Sequence, residues 1–87
     1  MEFIVHENSP EPFASTSTIR YELENEAVIQ ISVYDPLGTL ILTQTEGCKA
    51  AGSHALLIDA SNWPDGCYYY LLQAGEASTI KKMNVSR

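Results

Sequence analysis

The stretch Trp63-Pro64-Asp65-Gly66-Cys67-Tyr68-Tyr69-Tyr70-Leu71-Leu72-Gln73-Ala74-Gly75, continued by Ile80-Lys81-Lys82-Met83-Asn84-Val85-Ser86-Arg87, decides how the rest of the chain is read. Proline presets φ at the head of the Pro64-Asp65-Gly66 turn, glycine tolerates φ > 0 at its end, and the aromatic run after it prefers a pleated strand to a helix. Period-two alternation puts Tyr68, Tyr70 and Leu72 on one face and Cys67, Tyr69 and Leu71 on the other. Gly75 supplies the next turn, and Met83 and Val85 give the following strand an inward face. The expectation is a β-hairpin whose second strand ends in basic residues.

Working outward, the same period recurs. His54 to Asp59 alternates with Leu56 and Ile58 on one face, and Asp59-Ala60-Ser61-Asn62 has room for a single turn before Pro64 and Gly66 intervene. Residues 46–53 hold two glycines and no periodicity, and read as a loop. Thr39 to Thr45 is rich in Thr, Ile and Leu, behind a tight turn at Asp35-Pro36-Leu37-Gly38. Upstream, Ile29, Ile31 and Val33 point inward with Gln30 and Ser32 toward solvent, and Ile19, Tyr21 and Leu23 alternate with Arg20 and Glu22. With the polar turn Glu24-Asn25-Glu26 between them, these two strands read as a hairpin. Phe3-Ile4-Val5 reads as an edge strand, and Pro10 and Pro12 make the segment after it an irregular connection. About seven short strands with turn chemistry between them, and no helix-length segment, predict an all-β fold, an immunoglobulin-like antiparallel β-sandwich. No repeat or linker interrupts it, so residues 1–87 read as a single domain with residues 1–9 as an N-terminal approach.

Bulk properties narrow the function. A chain of 87 residues, 45% of them apolar, folds around one modest core and leaves little room for an enclosed catalytic cleft. A net charge of -6 with only 5 Lys+Arg offers no field for nucleic acid. No apolar run approaches the ~20 residues of a membrane-spanning helix, and Met1 to Asn8 lacks the features of a signal peptide. If the domain is exported, its leader lies elsewhere, and the chain is a piece of a larger secreted protein.

Candidate chemistry is sparse. His6 and His54 lie on different segments with no partner at defined spacing, so they read as ordinary strand-end or loop histidines rather than ligands or bases. Asp35, Asp59 and Asp65 sit at turns, where carboxylate-to-backbone bonds explain them better than a calcium loop. Ser15, Thr16, Ser17 and Thr18 have no elbow motif and no adjacent histidine, so no catalytic residue is assigned. No metal site or cofactor is indicated. Cys48 and Cys67 lack zinc spacing; in an oxidising compartment they could form a disulfide worth roughly 3 kcal/mol, and the sequence leaves their pairing open. Trp63 with Tyr68, Tyr69 and Tyr70 offers either core and edge packing or an aromatic platform for carbohydrate or peptide. Lys81, Lys82 and Arg87 are three of the five cations, gathered in the last seven residues. They read either as protection of an edge strand against aggregation or as a charged tag gripped by another protein.

The order Pro10-x-Pro12-Phe13, Thr18 to Leu23, Val33-Tyr34-Asp35-x-x-Gly38, Gly52-Ser53-His54, Asp65-Gly66-x-Tyr68-x-Tyr70 and Lys81-Lys82-Met83 resembles the C-terminal sorting domain, type A, of cargo for the type IX (Por) secretion system of Bacteroidetes. The likeness runs from about Asn8 to Arg87. It implies a non-catalytic export signal, carried through the periplasm and recognised by the type IX translocon at the outer membrane. It also implies removal by a sortase-like protease, leaving the cargo on the outer-membrane surface or secreted. Lys81, Lys82, Met83, Asn84, Val85, Ser86 and Arg87 would form the recognised strand; Pro10, Pro12, Phe13, Gly38, Gly66, Tyr68 and Gly75 would be structural motif positions. Cys48, Cys67 and Glu11 depart from the family pattern. The expected partners are the translocon and the protease, with the domain itself a monomer or an edge-strand dimer. The alternative reading is a binding or adhesion module of the same fold.

Overall fold

Alternation of apolar and polar residues gives each strand one face to bury, and two such faces closed on each other make the core. The computed structural model describes residues 3–10 and 12–86. Seven strands run in order: β1 (Phe3–Val5), β2 (Thr16–Leu23), β3 (Ala27–Tyr34), β4 (Leu40–Lys49), β5 (Gly52–Asp59), β6 (Gly66–Ala74) and β7 (Ala77–Val85). They form a three-stranded sheet, β1-β2-β5, and a four-stranded sheet, β4-β3-β6-β7, both antiparallel. This is the expected immunoglobulin-like sandwich, with the fourth strand carried by the sheet of the last two.

The buried set obeys the period. Ile19, Tyr21, Leu23, Leu56 and Ile58 from one sheet meet Ile29, Ile31, Val33, Tyr68, Tyr70, Leu72, Met83 and Val85 from the other, with Phe13 and Ala60 closing one flank. Each fully buried aliphatic contributes about 1.5–3 kcal/mol relative to exposure, which makes this layer the main source of stability. The β6–β7 hairpin is as expected: Ala74 pairs Ala77 across Gly75 (φ 60°) and Glu76, and the register holds to Gly66 opposite Val85.

Four expectations are corrected. β2 and β3 are not a hairpin: residues 24–26 carry the chain from one sheet to the other, so their apolar faces meet across the core rather than side by side. Residues 46–53 are not a loop. β4 runs on to Lys49 through a bulge in which Ile29 faces Gly47, Gln30 faces Thr45 and Glu46 is the extra residue. Gly47 takes the positive φ of 81° that this bulge requires, which is why glycine interrupts the period there. Only residues 50 and 51 then separate β4 from β5 in the opposite sheet. Ser32 is buried although it points away from the core, because β3 is a central strand and Thr43 and Leu71 flank it. Gly66 has no positive φ; a Cβ there would stand 2.9 Å from Pro36 Cγ, so close approach of the two turns, not turn geometry, requires glycine.

The proline connection is more ordered than expected. Ser9 pairs with Thr18 on β2, across a cis Ser9–Pro10 peptide, and the chain then crosses to the other sheet, where Phe13 forms a parallel bridge to Val85. Buried Asn8 donates from Nδ2 to Ser17 Oγ (2.9 Å), and Ser17 Oγ donates to the Pro10 carbonyl (2.9 Å), pinning the crossing from beneath.

Candidate functional site

β7 is an edge strand, as expected, and its residues alternate sharply. Thr79 and Lys81 are half-buried and Met83 and Val85 fully buried on the inner side, while Ser78, Ile80, Lys82, Asn84 and Ser86 point outward. Of the seven residues expected to be recognised, Met83 and Val85 are therefore core, and Lys81 lies partly against the sandwich. Lys82, Asn84 and Ser86 are presented to solvent, and Arg87 lies outside the described residues.

The far side of β7 is divided by the crossing segment. Phe13 N donates to the Asn84 carbonyl (3.0 Å) and Ser86 N donates to the Phe13 carbonyl (2.9 Å), while the Phe13 ring is 2% exposed. The main-chain groups of Asn84 and Ser86 thus point away from β6 and are already used. By strand alternation those of Ser78, Ile80 and Lys82 point the same way, and no described residue pairs with them. The part still open is a short edge bearing one large apolar side chain, Ile80 at 68% exposure, and one cation, Lys82. The outer face beside it carries Tyr69 and Leu71 at the positions opposite Lys82 and Ile80. Among the described strand residues on that outer face Lys82 is the sole charge, in a chain with 11 Asp+Glu.

The motif positions fall at the crossing, at turns and in the core. The Pro10 carbonyl is the acceptor beneath the crossing, Pro12 is exposed just before Phe13, and Gly38 takes φ 87° in a turn whose Asp35 Oδ1 accepts from Leu37 N and Thr39 N, both at 2.9 Å. Tyr68 is buried and donates its hydroxyl to the Pro64 carbonyl at 2.6 Å. Gly75 N donates to the Val28 carbonyl at 3.0 Å. Glu11 lies outside the described residues.

Other candidates resolve simply. Cys48 and Cys67 are both free thiols. Cys48 pairs with Val28 at one end of β3 and Cys67 lies beyond Tyr69, the partner of Tyr34 at the other end, so roughly 25 Å of strand separates them, far past the ~7 Å Cα limit for a bridge. The aromatic platform is not assembled: Tyr68 and Tyr70 are core, Trp63 packs half-buried on Tyr68 with ring centroids 5.0 Å apart, and only Tyr69 faces solvent. His6 Nε2 meets Glu22 Oε2 at 2.6 Å on an exposed face, and His54 Nε2 meets the Ala50 carbonyl at 2.7 Å while its ring stacks on Tyr21. The Asp59 carboxyl is held below its usual range by the Ser61 backbone N–H and then by the Ser61 side chain, the turn role expected of it. Burial, and secondarily the Glu46 carboxylate, pushes the Tyr21 hydroxyl up.

Sequence reasoning missed Phe13 as the residue that covers part of β7, and Ile80 as the apolar group beside Lys82. The first pairs residues from nearly opposite ends of the chain and left no local signal; the second was legible in the alternation of β7.

The family model described as the secretion system C-terminal sorting domain matches residues 9–86 of the chain. The chain belongs to this family. Sorting domains of this kind are targeting signals of type IX secretion rather than catalytic units, and they direct export across the outer membrane, to the cell surface or beyond. A comparison with curated proteins returned no match.

Proposed function

We propose that this sorting domain is read by the type IX translocon through the open part of β7, and that a sortase-like protease removes it once the cargo has crossed. The observation that carries the reading is the division of β7. Met83 and Val85 belong to the core, its last backbone groups are taken by Phe13, and the stretch from Ser78 to Lys82 is left, among the described residues, with unpaired main-chain groups and, pointing outward, one large apolar side chain, Ile80, and one cation, Lys82. An extended segment of the translocon adding to this edge gains main-chain hydrogen bonds, and an acidic residue opposite Lys82 sets its register. The cargo, and the periplasmic passage that precedes recognition, belong to the larger protein of which this domain is a part.

The test is a fusion of the domain to a reporter in a type IX-competent host. Deleting residues 81–87 abolishes export, but it also removes Met83 and Val85 from the core. The discriminating variant is therefore Ile80→Glu with Lys82→Glu, which alters only outward side chains. That double variant keeps its melting temperature and leaves the reporter in the periplasm. Unchanged export by a folded double variant would overturn the edge reading.

A further inference from the structure

A second site lies at the end of the sandwich where β7 finishes. The turn after β3, the start of β4 and the segment before β6 enclose a cleft of about 370 Å³. Its walls are the rings of Pro36, Trp63, Pro64 and Tyr68, and its rim carries Leu37, 91% exposed, and Ile41, 41% exposed. Two carboxylates, Asp35 and Asp65, line it, and no cation does among the described residues.

The cleft is built rather than incidental. Asp35 Oδ1 holds the first turn through Leu37 N and Thr39 N, Tyr68 is tied to the Pro64 carbonyl, and Trp63 N donates to the Ala60 carbonyl at 3.0 Å. Gly66 lets the two turns close on each other, since any side chain there would strike Pro36. A preformed apolar hollow loses little conformational entropy on binding. Leu37, almost fully exposed and outside the core, continues the apolar lining onto the rim beside Ile41.

We infer that this cleft binds an extended peptide in which an aromatic or aliphatic side chain is followed by a basic one. The ring-lined floor takes the apolar group, and Asp35 and Asp65 hold the cation at the rim. The sign is opposite to that of the β7 edge, where Lys82 calls for an acidic partner, so the two sites select different segments.

The test titrates two capped pentapeptides, Gly-Gly-Phe-Arg-Gly and Gly-Gly-Phe-Glu-Gly, into the ¹⁵N-labelled 87-residue chain. The Arg peptide shifts the amides of Leu37 and Ile41 and the Trp63 indole in a saturable manner, and the Glu peptide binds at least about tenfold more weakly. Leu37→Ser and Asp65→Asn each weaken the Arg peptide by about tenfold while the β7 resonances stay in place. Equal binding of the two peptides, shifts confined to β7, or no saturable shift would overturn the inference. So would concentration-dependent shifts of the same resonances without peptide, which would assign the cleft to a second copy of the chain.

Discussion

Gly66→Ala isolates a single steric contact and asks what it is worth. The Cβ would lie 2.9 Å from Pro36 Cγ, well inside the ~3.5–4.0 Å optimum for two carbons, and a proline ring cannot swing aside as a flexible side chain would. Overpacking of this kind costs about 1–3 kcal/mol. For a domain of this size each kcal/mol lowers the melting temperature by about 4–8 °C. The backbone is not the obstacle, because Gly66 has no positive φ; with the clash removed, alanine there gains about 0.4–1 kcal/mol from the stiffer unfolded chain. A double-mutant cycle with Pro36→Ala therefore separates the two effects. Urea denaturation monitored through Trp63, the sole tryptophan, reads all four corners of the cycle. The expected result is a destabilised single variant, a nearly neutral or stabilising change in the Pro36→Ala background, and a coupling above about 1 kcal/mol. The same cost in both backgrounds would refute the close-approach argument and assign Gly66 to its turn instead.

The core and the crossing each give a further expected outcome. Phe13→Ala removes a 2%-exposed ring, lowers stability by about 3–5 kcal/mol in denaturant titrations, and raises amide exchange at Ser86, whose N–H it positions. Tyr21→Phe removes a buried hydroxyl that has no hydrogen-bond partner among the described groups, so the variant is as stable as the parent or more so by up to about 1 kcal/mol. Because burial raises Tyr21 above its ordinary value of 10.0, the native state favours the protonated phenol. That contribution is fully present below about pH 10 and is lost as pH rises through the native value. The parent thus loses more stability than Tyr21→Phe as pH rises above about 10, and parallel alkaline curves for the two would contradict this.

Most of the sandwich was legible in the sequence because its strands obey a period of two over several residues. Ile19-Tyr21-Leu23, Ile29-Ile31-Val33 and Tyr68-Tyr70-Leu72 each named their buried face correctly. The failures lay in information that period does not carry. A three-residue polar connection between β2 and β3 looks the same whether the chain turns back beside itself or crosses to the facing sheet. The bulge at Glu46 and Gly47 breaks the alternation of β4, so a continuing strand resembled a loop. Ser32 is buried by the strands on either side, a consequence of sheet order rather than of its own neighbours in sequence. The strand proposed for recognition was visible as a cluster of lysines, but the division of β7 was not, since Phe13 reaches it only after the whole sandwich has closed. The cleft was hidden in the same way: Leu37 and Trp63 belong to separate turns that Gly66 allows to meet.

The Phe13–Val85 bridge is parallel, and that orientation has a mechanical consequence. Tension between the residues upstream of Phe13 and the end of β7 pulls the two segments in opposite directions along their length. The bonds to Asn84 and Ser86 and the packing of the Phe13 ring are then strained together in shear, instead of parting one after another like a zipper. Force that reaches Phe13 from its upstream side while β7 is pulled by its end therefore meets this contact as a brace, which yields only when its bonds give way together.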